Sequence, residues 1–168
     1  MNFSLIWKWF VLVGIQVFLL NEVDYLQMAT PFLFILFIIN LPLEISRIPL
    51  LLIGFVTGLI VDVFGNTIGI HTCATTLIAY LRPWILRVMA PTDLGNEVPS
   101  FRNFTIARYM EYATVMTVIH HALFFIMENG STNMLFTVIL RIVESSMFTL
   151  LLIYSIEYFK HKKFVARR

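Results

Sequence analysis

Long apolar runs with almost no aqueous sequence between them constrain this chain more than any other feature. Six such runs occupy about 5–20, 28–43, 48–64, 70–89, 107–127 and 134–158 of its 168 residues. A helix that crosses a bilayer needs about 20 mostly apolar residues, with a range of about 17–25. The first three runs are short for that task, so tilt, local thinning or snorkelling flanks must absorb the mismatch. The gaps cover 21–27, 44–47, 65–69, 90–106 and 128–133, and none is long enough for a water-facing domain. Only 90–106 is extended, and Pro91, Asp93, Gly95, Asn96 and Pro99 mark it as a loop. The second run opens on Thr30-Pro31, a favourable helix start because proline lacks only an N–H that would be unpaired there.

Composition narrows the class further. Hydrophobic residues make up 59% and charged residues 13%, where soluble domains average about 45–50% and about 25%. The mean hydropathy is +0.84. A soluble fold of this length could not bury so much apolar surface, which excludes a cytosolic enzyme domain and a disordered linker. Cys73 is the sole cysteine, so an internal disulfide framework and a cysteine-based metal site are excluded as well. A net charge of +2 is too small to point to nucleic acid. The expected fold is therefore an all-α, polytopic membrane bundle, a single domain over 1–168 with six transmembrane helices.

Charge distribution sets the expected orientation. With six spans, every one of the twelve Lys and Arg residues except Arg141 falls on the side that holds both termini. The opposite side holds Glu22, Asp24 and Glu128. Basic residues in short loops favour the cytoplasm, so both termini are expected there. Residues 159–168 form a basic tail suited to anionic headgroups. The first run has its positive charge inside the apolar stretch and no small-residue cleavage site after it, so it reads as a retained helix rather than a leader. Trp7, Trp9, Trp84, Tyr25, Tyr109, Tyr154 and Tyr158 lie near expected helix ends, where interfacial aromatics belong.

Three polar features stand out within the runs. Gly54, Gly58 and Asp62 are spaced four apart and share one helical face, and Gly65 and Gly69 bracket the turn that follows. Two glycines at that spacing let a second helix approach closely in lipid, and the turn glycines permit positive φ. Asp62 then either shapes an outward binding surface or is a carboxylate capped locally beside a packed helix pair. Arg141 and Glu144, three residues apart, are expected to form an intramembrane polar pair, with Ser145 and Ser146 extending it. His120 and His121 are adjacent and so face different directions, and His71 lies in another gap. That favours packing or hydrogen bonding over a metal site. Nucleotide-binding, metalloprotease and serine-hydrolase motifs are missing from the sequence. No catalytic residues, metal or cofactor are expected.

The stretch Gly54-Phe-Val-Thr-Gly-Leu-Ile-Val-Asp62, with its glycine-containing turn, resembles the bacterial rod-shape-determining MreD family. Phe55, Gly58, Leu59, Asp62 and Gly69 carry the resemblance, and the rest agrees in hydropathy and topology. It implies a fold similar to the membrane-embedded S components of energy-coupling-factor vitamin transporters. It also implies a non-enzymatic subunit of the cell-elongation complex in the bacterial cytoplasmic membrane. Such a subunit binds MreC and connects indirectly to MreB, a SEDS glycosyltransferase and a class B transpeptidase in peptidoglycan synthesis. Its other partners are membrane lipids, and not nucleic acid. The alternative is the substrate-binding subunit of a small-molecule, vitamin-type transporter.

Overall fold

The computed structural model describes residues 3–21, 29–91, 95, 97–129 and 135–166. Glu22, Asp24, Tyr25, Asp93, Asn96, Arg167 and Arg168, which entered the expectations above, lie outside that set. Helices account for nearly all regular structure: α1 (Phe3–Ile15), α2 (Ile35–Ile39), α3 (Arg47–Gly65), α4 (Ile70–Met89), α5 (Ile106–Asn129) and α6 (Leu135–Val165). A π-helical turn over Gln16–Leu20 continues α1, with the Asn21 N–H reaching back five residues to the Gln16 carbonyl. Among the described residues, four helices are long and apolar enough to cross a membrane: Phe3–Leu20, α3, α5 and α6. α4 matches them in length but carries Arg82 and Arg87 among its 20 residues.

The burial pattern differs from that of a water-soluble domain in its apolar exterior and in the polar groups set within its apolar core. Large apolar side chains point outward along α1 (Trp7, Phe10), α3 (Leu52, Val63) and α6 (Phe136, Met147, Leu151). Gln16, Asp62, His71, Arg82, His120, His121, Ser145, Thr149 and Glu157 are buried instead. Lipid rewards the first arrangement and penalises polar groups turned toward it, so polarity collects inside. Successive helices α3, α4, α5 and α6 pack each on the next, while α1 rests on α2 and, through its π turn, on α3. Val13 is the only buried residue in the body of α1.

The second apolar run departs from expectation. It is not one long helix: only Ile35–Ile39 is α-helical, and residues 29–34 and 40–46 are turns or extended chain. Composition conceals this because a continuously apolar run carries no periodicity that separates a surface helix from a buried segment. The reason for the break is placement. Residues Phe32 to Ile39 and Leu41 are at most 5% exposed, surrounded by the other helices. Unwound backbone survives at membrane depth only where protein supplies its hydrogen bonds. Tyr109 also departs from expectation, being fully buried rather than interfacial.

Candidate functional site

Two sets of polar side chains clamp the broken segment, one at each end. At its entry, the Thr30 N–H donates to Ser145 Oγ (3.0 Å) and the Phe32 N–H to Thr149 Oγ1 (3.0 Å). Gln16 works both ways, accepting from the Leu33 N–H at Oε1 (2.8 Å) and donating from Nε2 to the Pro31 carbonyl (3.1 Å). The π turn that begins at Gln16 widens the helix at the point where this side chain must face inward. At the exit, Arg82 collects the freed carbonyls. Its Nη1 donates to Pro42 O (3.3 Å) and its Nη2 to Ile39 O (3.5 Å) and Leu41 O. Its Nε donates to the Tyr112 hydroxyl (3.1 Å), which donates in turn to Ile39 O (3.1 Å). The carbonyl end of a helix carries partial negative charge, so a guanidinium there is favourably placed. Tyr109 donates to Asn40 Oδ1 (2.9 Å), and Asn40 donates to Glu157 (2.8 Å), which also pairs with Lys160 (2.6 Å).

Phe32 sits inside an aromatic nest that includes all three histidines singled out in or beside the runs. Its ring centroid lies 4.7 Å from His71, 5.6 Å from His120 and 4.9 Å from His121. His120 Nε2 is 3.3 Å from Thr75 Oγ1. His121 bridges the Thr117 carbonyl (2.9 Å) and Thr149 Oγ1 (3.2 Å). Among the described residues no group of three His, Cys, Asp or Glu is arranged to hold a metal ion. His71, assigned by sequence to a separate gap, is thus brought beside the pair by the α3–α4 turn.

The glycine stripe builds that turn. A Cβ placed on Gly58 would stand 2.5 Å from Thr72 Cα and 2.6 Å from the His71 carbonyl, so α4 backbone lies directly against α3 there. At Gly54 the neighbour is Ala79 Cβ, at 2.8 Å. Asp62, one turn on, caps α4. One carboxylate oxygen accepts from the His71 N–H (3.0 Å) and Thr67 Oγ1 (2.6 Å), and the other from the Thr72 N–H (2.7 Å) and hydroxyl. Of the two readings of Asp62, the geometry matches a locally capped carboxylate beside a packed helix pair. Positive φ occurs at Gly69 (76°) and at Asn66 (51°), whereas Gly65 ends α3 without it.

Arg141 pairs with Glu128 at 2.8 Å, and among the described residues it forms no ion pair with Glu144. The Arg141 guanidinium instead reaches the end of α5, where it also lies over the Phe125 ring at 4.8 Å. Sequence reasoning also did not single out Gln16, Arg82 or Thr149 as clamps. No local signal marks them, because the partner of each is backbone some 17 to 117 residues away.

A groove of about 650 Å³ lies between α1 and the stretch of α6 that carries Ile156, Glu157 and Lys160. No protein-family model, curated protein or solved structure matches this chain.

Proposed function

We propose that the chain is an integral-membrane, non-enzymatic subunit of a bacterial cell-elongation complex, an MreD-type protein that binds the transmembrane helix of MreC. It crosses the cytoplasmic membrane six times with both termini inside, the second crossing being the clamped segment 29–46. The observation that carries this reading is how the polar side chains are used. Gln16, Ser145, Thr149, Arg82 and Asp62 are all engaged in holding backbone of the chain itself. What the protein offers outward is apolar helix surface.

The exposed face of α3 is the docking surface for that helix, chosen over the similarly exposed stripe of α6 because it includes the stretch that resembles the family. Ile48, Leu52, Phe55, Leu59 and Val63 are all exposed and recur at spacings of four, three, four and four. That is close to the 3.6 residues of one helical turn, so the five side chains lie along one face. Phe55 and Leu59 also belong to the stretch that resembles the family. MreB, the SEDS glycosyltransferase and the transpeptidase are then reached through MreC.

The test is co-purification in mild detergent together with cell shape. Depletion in a rod-shaped host should round or widen the cells, and MreC should be recovered with the tagged chain. A Leu52→Ala, Phe55→Ala, Leu59→Ala triple variant should lower MreC recovery at least tenfold, since each truncation removes packing of about 1 kcal/mol or more. Normal shape after deletion, with no recovery of MreC, overturns the proposal. A small molecule carried through purification in place of MreC would favour the transporter alternative.

A further inference from the structure

We propose that the groove between α1 and α6 binds one anionic phospholipid, its acyl chain along the trough and its phosphate on Lys8 and Lys160. The trough wall consists of Val11, Leu12 and Ile15 on one side and Ile156 on the other, and the two lysines line the same groove.

Charge favours an anion. Lys8 is exposed and has no carboxylate partner among the described residues. Lys160 is tethered by Glu157, which is only 2% exposed. One ammonium donor is used in that tether, and two remain for a phosphate oxygen. Glu157 itself also accepts from Asn40, so its charge is held at the base of the groove, between two donors. Basic residues between helices at a membrane face are the usual recognition element for acidic headgroups. The groove is separate from the α3 face, so its occupancy does not depend on the MreC reading.

Native mass spectrometry of the full chain, titrated with phosphatidylglycerol or phosphatidylcholine of identical acyl chains, tests this. The wild type should retain one phosphatidylglycerol in preference to phosphatidylcholine. Lys8→Gln should lower phosphatidylglycerol retention about fivefold, the equivalent of one surface lysine at about 1 kcal/mol, and leave phosphatidylcholine unchanged. Val11→Trp, which fills the trough from an exposed position, should abolish retention of the bound lipid while the chain elutes as wild type. Equal retention of the two lipids by the wild type overturns the proposal. So does a Lys8→Gln or Val11→Trp chain that holds phosphatidylglycerol as the wild type does, or a peptide or small metabolite recovered in the groove instead.

Discussion

Replacing Arg82 with methionine should be among the most destabilising single changes in this chain. The guanidinium is 1% exposed and serves the carbonyls of Ile39, Leu41 and Pro42 together with the Tyr112 hydroxyl. Each buried polar group left without a partner costs about 1–3 kcal/mol. Relief of the cost of burying the guanidinium offsets part of this, leaving a net loss of about 3 kcal/mol against a total stability of about 5–15 kcal/mol. Thermal melting in detergent, followed by recovery of the monodisperse species, should show a midpoint lower by roughly 6–12 °C. Arg82→Lys should fall between the two, because an ammonium retains the charge but cannot span the divergent acceptors as a planar fork does. A methionine variant that melts with the wild type would mean that these carbonyls find water or other donors, and that Arg82 is not the clamp.

Gly58→Ala should be nearly as damaging, although it adds one methyl group. The three atoms nearest to the added Cβ, at 2.5, 2.6 and 2.8 Å, are all backbone of His71 and Thr72, which cannot rotate away as a side chain could. α4 must withdraw from α3, and the same two residues donate their N–H groups to Asp62. Overpacking of about 1–3 kcal/mol is therefore joined by a weakened cap of about 1 kcal/mol. Gly14→Ala is the matched control. Nothing lies within 4 Å of its Cβ position, and alanine is the better helix former by about 1 kcal/mol. The expected order in melting is Gly14→Ala at or above wild type and Gly58→Ala well below it. Equal melting of the two variants would remove the close α3–α4 contact from the account.

The α3–α4 hairpin was legible in the sequence because its parts are local. Glycines four apart, an aspartate one turn on and a glycine-bearing turn state a packing geometry within sixteen residues, Gly54 to Gly69. The apolar exterior was legible too, since composition alone demands it. The clamped segment was not. Phe32 to Ile39 is apolar throughout, so its pattern cannot tell lipid from protein as the surrounding medium. The cues for a break, Pro31 on one side and Asn40 and Pro42 on the other, are equally ordinary at helix ends. Their meaning depends on Gln16 in the π turn, Arg82 on α4, and Ser145 and Thr149 on α6, all distant in sequence. Arg141 illustrates the same limit. Spacing along one helix offered it Glu144, and the packing of α6 on α5 brought it Glu128 from another helix.

Labelling single cysteines on intact cells tests the six-crossing, broken-segment arrangement most directly. With exposed Cys73 replaced by serine, cysteines placed at Asn21, Ser46 and Ile68 bracket the clamped segment and α3. A membrane-impermeant maleimide should label Asn21→Cys and Ile68→Cys from outside, and Ser46→Cys only after the cells are permeabilised. Asn21→Cys and Ser46→Cys labelling from the same side would mean that residues 29–46 do not cross the bilayer, and would contradict the account.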